Sequence, residues 1–158
     1  MTHLLKARSA IGRGTIYVLG KGGYDPKKSH PGDSCDCSGF VAWCLGIPRK
    51  QEDTIGYIET TRVYKDALNA NILFQAVDNP RDAHVVVYPD TYKLVQVDGG
   101  KVRRQKVSEG HIGIVSGPGL VIHCSKSNYK RTRDAIQETS DKAFLAKGAV
   151  FARFKGLS

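Results

Sequence analysis

The amino-acid sequence predicts an α+β fold, with helices in the N-terminal half and an antiparallel sheet after them. Apolar positions in 37–45 recur with the period of a helix, whereas the chain after Pro80 consists of short β-rich runs. Turn residues separate these runs, which is typical of antiparallel hairpins. The chain has 158 residues and shows no repeat or linker, so we expect a single domain over 1–158.

The clearest predicted helix covers 37–45, and Gly46 with Pro48 ends it. Capping residue types cluster at 33–38, so Cys37 is expected at the N-terminus of this helix. A weaker helix is expected at 4–11. Another is expected at 60–68, and its predicted buried side consists of Val63, Tyr64, Ala67 and Leu68.

The predicted strands lie mostly in the C-terminal half, at 83–88, 93–97, 101–107, 110–115, 120–124 and 149–154. Hairpin signals stand at Asp98–Gly100 and at 117–119, where glycine is frequent. A short extended piece is expected at 15–19. It leads into 20–33, which the density of Gly, Pro, Ser and Asp marks as a loop.

The chain is basic, with 24 Lys and Arg against 15 acidic residues and a net charge of +9. This balance favours an anionic partner through long-range attraction. Basic residues concentrate at 101–106 and at 126–133, the second around Tyr129, a pattern also used by nucleic-acid grooves. A solvated basic face is the commoner explanation of such runs, and we do not expect nucleic acid as the partner.

Export and disulfide signals are both missing from the sequence. No apolar run is long enough for a signal peptide or for a membrane span. We therefore expect a product made in the cytoplasm, without membrane insertion. The four cysteines are expected to be free thiols, because a chain of this size with a good core does not need disulfides.

Cys37 has the position of a nucleophilic cysteine. The dipole and free amides at a helix N-terminus favour the thiolate, which is the reactive form of cysteine. The same amides face the place where an oxyanion would form during acyl transfer. One local element would thus supply the nucleophile and part of an oxyanion hole.

Two histidines on successive predicted strands could supply the base. If the connection has an odd number of residues, for example 116–118, His111 stands opposite His123 on one face; an even number without a bulge puts them on opposite faces. In the favourable register His111 is the base for Cys37, and His123 orients it. The other face then becomes core, with Ile112, Ile114, Leu120, Ile122 and Cys124.

Four segments, in order, resemble the NlpC superfamily of papain-like cell-wall cysteine peptidases and amidases. Residues 36–41 (DCSGFV) resemble its nucleophile motif, and residues 110–115 (GHIGIV) look like its base motif. Residues 121–124 (VIHC) resemble the strand with the third polar residue. Residues 17–20 (YVLG), followed by Gly22, are similar to the segment before the nucleophile. The resemblance covers roughly 10–125.

The resemblance implies a papain-like α+β fold that hydrolyses an amide bond in peptidoglycan stem peptides, commonly between D-glutamate and a diamino acid. It implies no metal and no cofactor, and it places Tyr17, Asp36 and Ser38 on the substrate side. Segment 88–108 is longer than a minimal member needs. Without an export signal, action in the periplasm or outer wall would require specialised secretion, with a delivery or immunity partner, or release at phage lysis.

Several alternatives remain open from the sequence. The same residues could transfer an acyl group to an amine or a lipid, or the chain could be a non-catalytic basic module that binds nucleic acid or wall polymer. Cys35, Cys37, His111 and His123 could form a zinc site, although the Cys-x-Cys spacing is tighter than usual. Tyr17 fits a core position equally well. Packing explains Cys44 and Cys124, and no role is assigned to His3, His30 or His84.

Overall fold

The computed structural model describes residues 1–157, which form five α-helices and twelve strands. The helices are α1 (His3–Ser9), α2 (Cys37–Leu45), α3 (Thr60–Lys65), α4 (Lys126–Thr132) and α5 (Lys142–Ala146). The strands are β1 (Ile16–Tyr17), β2 (Ser34–Cys35), β3 (Lys50–Gln51), β4 (Gly56–Tyr57), β5 (Phe74–Ala76), β6 (Val85–Tyr88), β7 (Thr91–Val97), β8 (Lys101–Ser108), β9 (His111–Gly117), β10 (Leu120–Cys124), β11 (Ile136–Ser140) and β12 (Val150–Phe154). The mixed α+β class is confirmed.

A six-stranded sheet with the order β11-β10-β9-β6-β12-β5 forms the centre of the molecule. Every neighbouring pair in it is antiparallel. Strands β7 and β8 pair only with each other, as a ribbon that leaves this sheet between β6 and β9. The sheet therefore places β9 and β10, which carry the two predicted catalytic histidines, next to each other near its middle.

Helix α2 lies in the core against β9 and β10, and all nine of its residues are buried. Its apolar residues pack with those of the sheet face beneath it, including Val85, Ile112, Ile114 and Ile122. Burial of these side chains is the main favourable contribution to folding. On the opposite face of the sheet, α5 places Phe144 against Val86 and Val121. The first residue of α2 is thereby fixed relative to β9.

Several sequence predictions need correction. Helices α4 and α5 lie in the C-terminal half, where only strands were predicted. Two strands of the central sheet were not predicted: β5, which lies before Pro80, and β11. Leu68 is exposed because residues Asp66–Ala70 form a π-helical turn, which rotates later side chains away from the α-helical period. Leu120 is also exposed, because it sits at the irregular end of the β9–β10 hairpin.

Among residues 1–157, no helix is both long enough and apolar enough to cross a bilayer.

Candidate active site

The start of α2 is fixed by local contacts, and the prediction that Cys37 begins this helix is confirmed. Asp36 is the N-cap, and its Oδ1 accepts a hydrogen bond of 2.7 Å from the amide of Gly39. Its Oδ2 accepts another of 2.7 Å from the amide of Gly20. Gly39 has no side chain, which lets the backbone of Lys21 and Gly22 pass directly over the first turn.

Cys37 is nearly enclosed, with 6% of its surface exposed. Burial, together with the Asp36 carboxylate, raises the pKa of its thiol to about 12. The amides of Ile112 and Ser38 act on the sulfur as hydrogen-bond donors and partly offset this rise. The resting side chain is therefore a neutral thiol at neutral pH, and a reaction through its sulfur requires a base.

His111 and His123 are in direct contact, as the sequence predicted. His111 Nε2 lies 2.7 Å from His123 Nδ1, and the two rings meet nearly edge to face. The predicted register is wrong by two residues, however: Val121 pairs with Val115 and Ile122 with Ile114, so His123 faces Gly113 instead of His111. The two-residue loop pairs Gly117 with Leu120, which by itself would put the histidines on opposite faces; the one-residue β-bulge between Leu120 and Val121 brings them back to one face.

Gly113 makes the diagonal contact between the histidines possible. A Cβ atom at this position would lie 3.0 Å from the His123 Cβ and 2.5 Å from a methyl group of Val121. The space over Gly113 is instead open to the His123 ring, which crosses it to reach His111. Because the residue opposite His123 is a glycine, the two imidazole rings can meet diagonally although His111 and His123 are not cross-strand partners.

Thr139 extends the contact on β11. Its hydroxyl lies 3.2 Å from the Ser140 carbonyl oxygen and 2.8 Å from His123 Nε2, and when it donates to that carbonyl it accepts the proton of Nε2. His123 Nδ1 is then an acceptor, and His111 Nε2 donates to it. This chain of hydrogen bonds leaves His111 Nδ1 with a free lone pair.

Both imidazoles are neutral at rest. Burial, together with the neighbouring His123, lowers the pKa of His111 to about 3. Burial lowers the pKa of His123 to about 4, with a contribution from the Arg131 guanidinium. Phe144 supplies much of this burial, because its ring stacks on His111 at 5.2 Å and meets the edge of His123 at 5.3 Å.

Cys37 and the histidines line two adjoining depressions. The thiol cleft is a cavity of about 290 Å³ that contains Cys37 and Ser38, and the histidine groove, of about 580 Å³, contains His111 and His123. Tyr17, Glu109 and Gly110 line both depressions. The amide next to His111, that of Ile112, reaches the Cys37 sulfur. No hydrogen bond joins Cys37 to His111 anywhere in residues 1–157.

The three predicted substrate-side residues occupy different environments. Tyr17 is half-buried between the two depressions, and burial followed by the nearby Cys37 and Asp36 charges raises its pKa, so its hydroxyl remains a donor. Asp36 and Ser38 line the thiol cleft but are buried. The Asp36 carboxylate is already occupied by hydrogen bonds within the protein.

Arg49 is a residue that the sequence did not identify. Its guanidinium forms a buried ion pair with Asp36, with Nη1 at 3.0 Å from Oδ1, and donates to Ser38 Oγ at 2.8 Å. The ring of Tyr57 lies 4.8 Å from the guanidinium carbon. No sequence motif surrounds Arg49, and a basic residue after a helix stop is ordinarily expected on the surface.

The histidine groove carries three basic side chains, Lys126, Arg131 and Lys142. None of them forms an ion pair within residues 1–157. Asn128 holds Arg131 in place: its Oδ1 accepts from the guanidinium at 3.1 Å, while its amide nitrogen is bound to the carbonyls of His123 and Ala135. The groove therefore presents a fixed positive charge beside the histidines, with Glu109 as its acidic residue.

The remaining cysteines are buried free thiols. Cys35 Sγ lies 3.3 Å from Cys124 Sγ, so these two side chains face each other in the core. Within residues 1–157, no three His, Cys, Asp or Glu side chains form a group suited to a metal ion. The four residues of the alternative zinc site are therefore not arranged as a ligand set.

No family model matches the chain, and no curated protein matches it. Among solved structures, that of NlpC2 from Trichomonas vaginalis is similar over 96% of this chain, with 17% identity and a TM-score of 0.47. The chain covers 45% of that protein, which is under half of its length.

Proposed function

We propose that the chain is a papain-like cysteine hydrolase that cleaves an amide bond in peptidoglycan stem peptides, of the D-glutamyl–diamino acid type. One observation carries this proposal: continuous hydrogen-bond contacts join Ser140, Thr139, His123 and His111, and with Thr139 accepting from His123 they leave His111 Nδ1 unprotonated. His111 directly precedes Ile112 in the chain, and the amide of Ile112 reaches the Cys37 sulfur. A neutral thiol and an unprotonated imidazole are the starting state for base-assisted attack.

In the first half of the reaction, His111 Nδ1 takes the Cys37 proton as the sulfur attacks the substrate carbonyl carbon. The tetrahedral oxyanion forms in front of the amides at the start of α2, where the helix dipole favours negative charge. The imidazolium then gives its proton to the leaving amine, and the carbon–nitrogen bond breaks to give a thioester.

In the second half, His111 takes a proton from water, and the resulting hydroxide attacks the thioester carbonyl. Collapse of the second oxyanion releases the carboxylic acid, and the proton returns to the sulfur. His123 stabilises the charged form of His111 by accepting its Nε2 proton throughout. The thiolate and the imidazolium form together, so each provides the countercharge that its buried position lacks.

The basic groove supports a substrate that carries carboxylates. Arg131 stands near His123 and forms no ion pair with any acidic residue of 1–157, and Lys126 and Lys142 line the same space. A substrate carboxylate there would gain charge-assisted hydrogen bonds and would reduce the effect of Arg131 on the His123 pKa. Peptides with free side-chain or terminal carboxylates are therefore expected to react faster than their amidated forms.

Digestion of purified peptidoglycan tests the proposal. Wild type and Cys44→Ala, a matched change on the same helix, should release new stem peptides detectable by mass spectrometry. Cys37→Ala should reduce the rate by more than about a thousandfold, because no other group can form the thioester. Circular dichroism establishes that both variants are folded.

Two results would contradict the proposal in different ways. Cleavage that survives in Cys37→Ala would exclude this sulfur as the nucleophile. Products that carry an added amine instead of a new carboxylate would show acyl transfer rather than hydrolysis.

A further inference from the structure

The ribbon formed by β7 and β8 is the most basic segment outside the site. Residues 91–108 contain five basic residues and one acidic residue, Asp98, at the turn. Lys106 pairs with Asp90 at 3.2 Å, at the base of the ribbon. The other four cations, Lys93, Lys101, Arg103 and Arg104, have no ion-pair partner in residues 1–157.

The base of the ribbon is fixed to the rest of the fold. Asp90 Oδ1 accepts from the amide of Gly110 at 2.6 Å, and the hydroxyls of Thr91 and Ser108 are 2.6 Å apart. Asp90 and Lys106 also line the thiol cleft. The ribbon is therefore anchored at the cleft rim, with its outer part exposed to solvent.

One face of the ribbon combines Arg104 and the Asp90-paired Lys106 with exposed apolar side chains, while Lys93, Lys101 and Arg103 lie on the opposite face. The register pairs Tyr92 with Lys106, Leu94 with Arg104 and Gln96 with Val102, which places all six on the same side. We call this side the tyrosine face. Leu94 is 73% exposed and Val102 is 58% exposed, which is unusual for two aliphatic side chains on the same face. Arg104 lies over the Tyr92 ring at 4.1 Å.

The chemistry of this face distinguishes its partner. A soluble polyanion would be attracted by the cations alone, and the aliphatic side chains would gain nothing by contact with a charged backbone. An anionic bilayer offers both phosphates for the cations and an apolar layer for Leu94 and Val102. Tyrosine is favoured at the level of the lipid headgroups, between these two layers.

We propose that the tyrosine face of the β7–β8 ribbon binds peripherally to the surface of an anionic phospholipid bilayer. Binding would hold the rim of the thiol cleft near the membrane surface, because Lys106 and Asp90 belong to both the cleft and the base of the ribbon. The contact does not depend on Cys37, so it is independent of the proposed hydrolytic function.

Co-sedimentation with lipid vesicles tests the proposal. The full chain should bind vesicles of phosphatidylcholine and phosphatidylglycerol, and bind vesicles of phosphatidylcholine alone much more weakly. Leu94→Ser with Val102→Ser keeps every charge and should lower the partition coefficient by about tenfold or more. Arg104→Gln should lower it by about fivefold.

Leu68→Ser with Ile72→Ser is the matched control, because both residues are similarly exposed aliphatic side chains outside the ribbon. This control and Cys37→Ala should bind as wild type does. Undiminished binding by the Leu94 and Val102 double variant would overturn the proposal, as would absence of binding to the anionic vesicles. Tighter binding to a short DNA duplex than to these vesicles would replace it with a nucleic-acid surface.

Discussion

Two polar networks flank the cleft, and they are built on opposite principles. Around Asp36 the network is charged at rest: the carboxylate pairs with buried Arg49 and accepts the amides of Gly39 and Gly20. Around His123 the network is neutral at rest and consists of hydrogen bonds between His111, His123 and Thr139. Both are largely buried, but the first is held by an ion pair and the second by hydrogen bonds between neutral groups.

The difference shows how each network could contribute to the proposed reaction. A buried ion pair holds its geometry as long as both partners are present, so it suits the support of a helix N-terminus. In a neutral imidazole pair, the hydrogen bond between the rings fixes the orientation of each ring. The pair becomes charged only when it takes the proton of the thiol. The charged network would support the nucleophile, whereas the neutral one would supply the base.

Replacing Asp36 should have the largest effect on stability. Asp36→Ala removes the N-cap of α2 and leaves the Arg49 charge buried without a partner. We expect the free energy of unfolding to fall by about 3–5 kcal/mol, measured by urea denaturation. Asp36→Asn keeps a capping oxygen and should be intermediate. A loss below about 1 kcal/mol in Asp36→Ala would show that the ion pair does not support the helix.

The histidine network should make stability depend on pH. The pKa of His111 is lowered to about 3 and that of His123 to about 4, against an ordinary 6.5. Below pH 6.5 the unfolded chain binds protons that the folded chain does not, so stability is complete above that pH and falls towards pH 4. The expected slope approaches about 1.4 kcal/mol per pH unit for each histidine.

Thermal unfolding as a function of pH measures this slope. The double variant His111→Asn with His123→Asn should give a flatter profile, although His3 and His84, whose pKa values burial also lowers, remain. An equally steep profile in the double variant would assign the pH dependence to other groups.

Removing the Thr139 hydroxyl should have the smallest effect. Thr139→Val removes the acceptor for His123 Nε2, so the tautomer that leaves His111 Nδ1 free is no longer enforced. Because one net hydrogen bond is lost, we expect kcat for stem-peptide cleavage to fall by about tenfold. Thr139→Ser keeps the hydroxyl and should restore the rate. Equal losses in the valine and serine variants would point to packing instead of tautomer control.

The sequence predicted those parts of the candidate site whose contacts join residues close together in the chain. Asp36 caps a helix three residues before Gly39, and this contact is contained in a short segment of chain. Side-chain alternation places the histidines on one face only for certain loop lengths, so the sequence left their pairing open. The register expected for a direct pairing was wrong, because the position of a bulge near Leu120 depends on how the whole hairpin packs.

The sequence by itself therefore determined the start of α2 at Cys37 and the α+β class, because capping and side-chain periodicity act within a few residues. Only the tertiary structure decided that His111 and His123 share a face, and which groups they and Asp36 contact. Thr139 reaches His123 through the pairing of β10 with β11, and Arg49 reaches Asp36 through the folding of the chain after α2. Such contacts join segments whose spacing in sequence carries no signal, since packing of the core brings them together.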